Sequence, residues 1–186
     1  MNEVSGTASR PLLILLLLLL IGGCIDRGPT YTVVRQGGWE GEPPPPRGEV
    51  LLTVFLPDGR SYDLDRAGLQ KLTWVKRKTR YHPQEGGAAA TFEGVLLADL
   101  IAGLGAEDDD LLVRFTALDD YQIERPWKDL KPLEPILALK QDGRWLTIND
   151  YGPLRVILPF DSLRPEPTEY NALWVWQLRI IELRNP

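Results

Sequence analysis

Lys76, Lys78 and Arg80 stand on alternate residues, and His82, the only histidine, follows two positions later. In a strand, alternate residues share a face. Lys76, Lys78 and Arg80 then fall on one side with Trp74, while Val75, Arg77, Thr79 and Tyr81 take the other. A row of cations holds an anion such as a phosphate or sulfonate through charge-assisted hydrogen bonds. Imidazole adds a metal ligand or a proton carrier. The same row also serves as a solvated face or protects a sheet edge. Arg155 interrupts the apolar run Leu154 to Leu158. Its guanidinium either pairs with a buried carboxylate or faces a pocket. Asp119 and Asp120 are adjacent, so in a strand their side chains diverge; they suit a turn better than paired acid–base chemistry. No Ser–His–Asp set, glycine-rich phosphate loop or metal-spaced His/Cys cluster is present. No catalytic or metal-ligating residue is therefore assigned.

The only thiol is Cys24. It follows Arg10, the unbroken apolar run Leu12 to Ile21 and two glycines, Gly22 and Gly23. A charged start, a short apolar stretch and small residues form a secretory signal. The run is roughly half of the 20 residues that a helix needs to cross a bilayer. Ile21-Gly22-Gly23-Cys24 resembles the lipobox of bacterial lipoproteins. That resemblance implies cleavage before Cys24 and a diacylglyceryl group on its thiol. The alternatives are a plain signal peptide with an incidental cysteine, or a short membrane anchor. A lipoprotein works outside the cytoplasm, anchored by acyl chains whose buried methylenes contribute about 0.8 kcal/mol each. Ile25 after the cysteine favours the outer membrane if the source has two membranes. With 26 acidic residues against 21 basic ones, nucleic acid is excluded as a general partner.

Three segments are expected: a signal peptide over 1–23, a lipidated Cys24 with a Pro/Gly-rich tether over 24–48, and a folded domain over 49–186. Pro43 to Pro46 is stiff and extended and suits a spacer off the membrane. Tyr31 to Val34 is either a short strand or part of that tether. Glu49 to Leu56 and Arg60 to Leu64 flank Pro57-Asp58-Gly59 and predict a hairpin. Asp65 predicts a helix cap. A strand is expected over Leu72 to Tyr81, a short strand over Thr91 to Glu93, and a helix from Leu96 to Ile101. Leu111 to Ala117 and Gln122 to Arg125 flank the Asp119-Asp120 turn, and Asp142-Gly143 predicts a second hairpin. Leu154 to Leu158 and Leu173 to Leu183 complete the strands. Trp174 and Trp176 alternate in the last one near Tyr170, and form either core or an aromatic contact surface. Many short strands with a few short helices predict an α+β fold.

Phe92-Glu93-Gly94-Val95-Leu96-Leu97-Ala98-Asp99-Leu100 resembles the aromatic-x-G-V-P-L-x-D-L segment of sulfite-oxidase-like molybdopterin-binding domains. Ala117 to Tyr121 resembles that family's D-G-Y turn. Ile136-Leu137-Ala138 with Asp142-Gly143-Arg144-Trp145-Leu146 resembles its hairpin, and Gly152 to Pro159 its G-x-P-x-R-x-x-x-P strand. The resemblance implies a compact α+β domain with mixed β-sheets. It also implies a pterin pocket that Arg155 would face, and molybdenum held by a cysteine thiolate. The matching stretch, Tyr81-His82-Pro83-Gln84, has no cysteine, and Asp120 replaces the turn glycine. The expected protein is thus a membrane-anchored, extracytoplasmic binding module without molybdenum cofactor. It would hold a small anion or a partner protein through Lys76, Lys78, Arg80, His82, Tyr121 and Arg155. The alternative is a small molybdopterin-dependent oxidoreductase lacking the cysteine ligand.

Overall fold

A computed structural model describes residues 28–80, 88–163 and 170–186. They form two β-sheets with three short α-helices, the expected α+β fold. One sheet contains β1 (Thr32–Arg35), β4 (Trp74–Arg80), β5 (Ala89–Leu96), β8 (Ile136–Gln141) and β10 (Arg155–Ile157), in that order. A two-residue strand, β9 (Arg144–Trp145), pairs with β8. The second sheet runs β3 (Ser61–Asp65), β2 (Val50–Phe55), β11 (Leu178–Arg184), β6 (Leu112–Ala117), β7 (Gln122–Pro126). Among the described residues, only the β11–β2 pair is parallel.

Local chemistry explains many element ends. Pro57-Asp58-Gly59 turns β2 into β3, with Gly59 at φ +88° and the Asp58 carboxylate accepting the Arg60 N–H at 3.0 Å. Asp65 closes β3 and caps α1 (Arg66–Gln70), accepting the Gly68 N–H at 2.7 Å. In α2 (Leu97–Gly103), Leu97, Leu100 and Ile101 form the buried stripe, at the spacing an amphipathic helix requires. Pro126 ends β7 and precedes the single turn of α3 (Trp127–Leu130). Asp142 (φ 49°) and Gly143 (φ 77°) make the β8–β9 turn, both in the left-handed region that this hairpin type requires. Gly94 lies at a register shift between β5 and β8, where a Cβ would stand 2.0 Å from the Leu137 carbonyl oxygen.

Three expectations are corrected. The segment from Thr30 to Gly48 does not stand off as a spacer. β1 pairs with β4, the Trp39 indole N–H donates to the Gly68 carbonyl at 3.0 Å, and the Arg47 and Gly48 N–H groups donate to Asp65. Aromatic and polar anchors flanking the proline run thus hold it along the domain. β5 extends well beyond Thr91–Glu93, because it pairs with β4 from Ala89 to Val95. The last strand starts at Leu178, not Leu173. The Trp174 N–H closes a turn on Asn171 O, and Gln177 sits at φ 48°, which no strand accommodates.

Candidate functional site

The β4–β5 register divides the expected site residues between opposite faces of the first sheet. Lys76, Lys78 and Arg80 lie opposite Glu93, Thr91 and Ala89 on the outer, solvated side. Arg77 and Thr79, opposite Phe92 and Ala90, point inward and are buried. The outer cations have neighbours of opposite charge. Glu93 faces Lys76 across the strands, and Asp161 lies 3.7 Å from the Arg80 guanidinium and accepts its main-chain N–H at 3.1 Å. Their mutual repulsion is therefore partly offset without a ligand. His82 and Cys24 lie outside the described residues.

Arg155 belongs to the inner face. It is buried in β10, its guanidinium carbon stands 5.5 Å from the Phe92 ring centre, and its Nη1 donates to the Gln141 amide oxygen at 2.9 Å. Desolvating a guanidinium is costly unless it gains such partners. Beside it opens a cavity of about 390 Å³ lined by Phe92, Gln141, Asn149, Asp150, Tyr151 and Arg155 among others. A neighbouring cavity of about 380 Å³ is lined by Asp119, Tyr121, Tyr151, Trp174, Trp176 and Gln177 among others. Tyr151 lines both. The structure therefore places Arg155 and Tyr121 at two adjoining cavities, with Arg155 on the opposite face of the sheet from the lysine row.

Tyr121 is set by the β6–β7 turn. Its N–H donates to the Asp119 carboxylate at 3.1 Å, and its hydroxyl donates to the Ala172 carbonyl at 3.0 Å. Asp120 adopts φ 63° and pairs with Arg179 at 2.8 Å. Asp tolerates this left-handed position better than most residues, so the turn survives without the glycine. Trp174 is core, packed at 6.5 Å on Phe92 and 5.7 Å on Phe160. Trp176 is half-buried and tilts against Tyr151 at 4.6 Å.

Two residues escaped the sequence analysis. Tyr151 sits at φ 59° after the 3-10 turn Ile148–Asp150. The Asn149-Asp150 pair before Gly152-Pro153 was the available turn signal. Arg77 is more consequential. Its guanidinium donates to Thr30 O (3.2 Å), Thr30 Oγ1 (2.7 Å), Ile157 O (3.2 Å) and Glu134 O (2.8 Å). The Glu134 carboxylate lies 3.8 Å from Arg77 and accepts the Thr30 N–H and hydroxyl at 2.9 and 2.6 Å. Burial pulls the Arg77 pKa down to about 10, against the opposing influence of Glu134 and Tyr31, so it stays charged at neutral pH.

Among the described residues, the donor set does not fit a protein-ligated molybdenum centre. The chain's one thiol is Cys24, and among the described residues no three His, Cys, Asp or Glu side chains are grouped to hold a metal. The cavities offer a guanidinium, amides and aromatic faces, groups that hold a small anion or a flat ring, beside the carboxylates of Asp150 and Asp119.

The family model described as the oxidoreductase molybdopterin binding domain matches residues 65–162. No curated protein matches the chain. Among solved structures, the sulfane dehydrogenase SoxCD from Paracoccus pantotrophus is similar, with a TM-score of 0.57 and 15% identity. The match covers 73% of this chain and 38% of that one, so it is a likeness of fold to part of a longer chain.

Proposed function

This chain belongs to the oxidoreductase molybdopterin binding domain family, and we propose that it is a membrane-anchored, extracytoplasmic binding module working without a protein-ligated molybdenum. Lipidated Cys24 supplies the anchor. The Arg155 cleft holds a small anion, with Gln141 and Tyr151 as further contacts and Tyr121 at the adjoining cavity. The observation that carries this reading is the donor set: the only thiol lies outside the matched domain, at residue 24 of the chain. Arg155 supplies the positive charge, and its burial strengthens electrostatics in the cleft.

The test is molybdenum and pterin analysis of the purified full chain, combined with thermal melts in sulfate, phosphate and small sulfonates. The expected result is sub-stoichiometric molybdenum and an anion-dependent rise in melting temperature that Arg155→Gln abolishes. Stoichiometric molybdenum would instead establish the second reading, a small oxidoreductase lacking the cysteine ligand, which family membership supports. Equal anion responses in wild type and Arg155→Gln would remove the cleft as the anion site.

A further inference from the structure

The folded body begins very close to the anchor. Thr30 is locked by its N–H and hydroxyl on Glu134 and by its carbonyl and hydroxyl oxygens on Arg77. Cys24 lies six residues earlier. At 3.3–3.6 Å per residue, that leash spans at most about 20 Å, whereas a free tether as far as Gly48 would span roughly 80 Å. The proline run lies beyond the lock and adds nothing to the reach.

The register then identifies which part of the body lies nearest the anchor. Thr32 pairs with Lys76 in an antiparallel ladder. Stepping back from Thr32 to Thr30 therefore runs along β4 in the direction of Lys78 and Arg80. β1 pairs with β4 only as far as Lys76, so Lys78 and Arg80 extend past the end of that ladder as an exposed rim. Glu93 and Asp161 offset Lys76 and Arg80, and Asp142 holds the Thr91 N–H opposite Lys78, so the rim's excess charge is at most one positive charge. A cation is attracted to an anionic bilayer only within about a Debye length of it, roughly 8 Å at physiological salt. A leash of at most about 20 Å lets the rim enter that field.

We propose that the rim of the first sheet formed by Thr30, Lys78 and Arg80 rests on the headgroups of an anionic membrane. The occupant is a lipid surface, chosen by the length of chain between Thr30 and the anchor and by the sign of the rim. The proposal rests on lipidation of Cys24.

The experiment uses the full lipidated chain in phosphatidylglycerol vesicles containing headgroup-nitroxide lipid. A fluorophore is attached at Lys76→Cys, which lies on the same face and keeps both rim cations, or at Lys78→Cys if the first variant fails to fold. The comparison label is at Asp58→Cys in the β2–β3 turn of the other sheet. Quenching at the β4 position should exceed that at position 58 several-fold. Equal or reversed quenching, with acyl mass on the Cys24 peptide, would overturn the rim and leave the anchor intact. A Cys24 peptide without acyl mass would overturn both.

Discussion

Arg77 grips Thr30 twice, donating from Nη2 to the hydroxyl at 2.7 Å and from Nε to the carbonyl oxygen at 3.2 Å. The same guanidinium also reaches the main-chain oxygens of Ile157 and Glu134. One buried side chain thus ties the N-terminal segment, the end of β10 and the turn before β8 into a single junction. A planar five-donor fork suits this task, and an ammonium does not.

Arg77→Met should therefore cost about 3 kcal/mol or more, because it strands buried carbonyls and the Glu134 carboxylate. Arg77→Lys should not restore the loss. Urea unfolding measures both, and limited proteolysis should show new cleavage between Gly28 and Gly48. A Met variant with the wild-type midpoint and no new cleavage would remove the junction's importance.

Asp65 accepts main-chain N–H groups from Gly68, Arg47 and Gly48 at 2.7, 2.8 and 3.0 Å. These bonds, Gly68's first, hold its carboxyl below the ordinary value of 3.8. A depressed folded pKa contributes stability above the unfolded value, and that contribution is lost as pH falls through the folded one. Asp65→Ala should cost about 1–2 kcal/mol as a lost cap, with more from the orphaned Arg47 and Gly48 N–H groups. Denaturation across pH should show the gap to wild type narrowing in acid. A constant gap would contradict the linkage.

Asp99 shifts the other way. Burial raises its pKa, partly offset by a hydrogen bond from Thr73. For a raised acid, stability is greatest below the unfolded value and falls as pH rises through the folded one. Asp99→Asn should then match or exceed wild type in melting temperature at neutral pH, with the advantage vanishing in acid. A neutral-pH loss would mean that the carboxylate itself supports α2.

Gly94→Ala should abolish soluble folding. Its Cβ would meet the Leu137 carbonyl oxygen at 2.0 Å and the Ala138 Cα at 2.8 Å, both main-chain atoms with no rotamer to yield. Soluble expression with a wild-type circular dichroism spectrum would show that the β5–β8 contact gives way more easily than close packing allows.

Sequence alone determined whatever depends on one residue and its near neighbours. Asp65 caps its helix, Asp142-Gly143 turns its hairpin, and Asp119 closes the turn before Tyr121, because these side chains act on backbone a few residues away. Alternation also separated Lys76, Lys78 and Arg80 from Arg77 and Thr79, since strand faces follow a period of two. Tertiary structure decided which partners those faces meet. Arg77 finds Thr30 at a separation of 47 residues and Ile157 at 80, and local periodicity carries no record of such distances. That pairing turned an expected spacer into part of the folded body. Trp174-Val175-Trp176 alternates like a strand, yet Trp174 fills the space between Phe92 and Phe160 and the chain turns at Gln177. There, packing against distant residues outweighed the local preference.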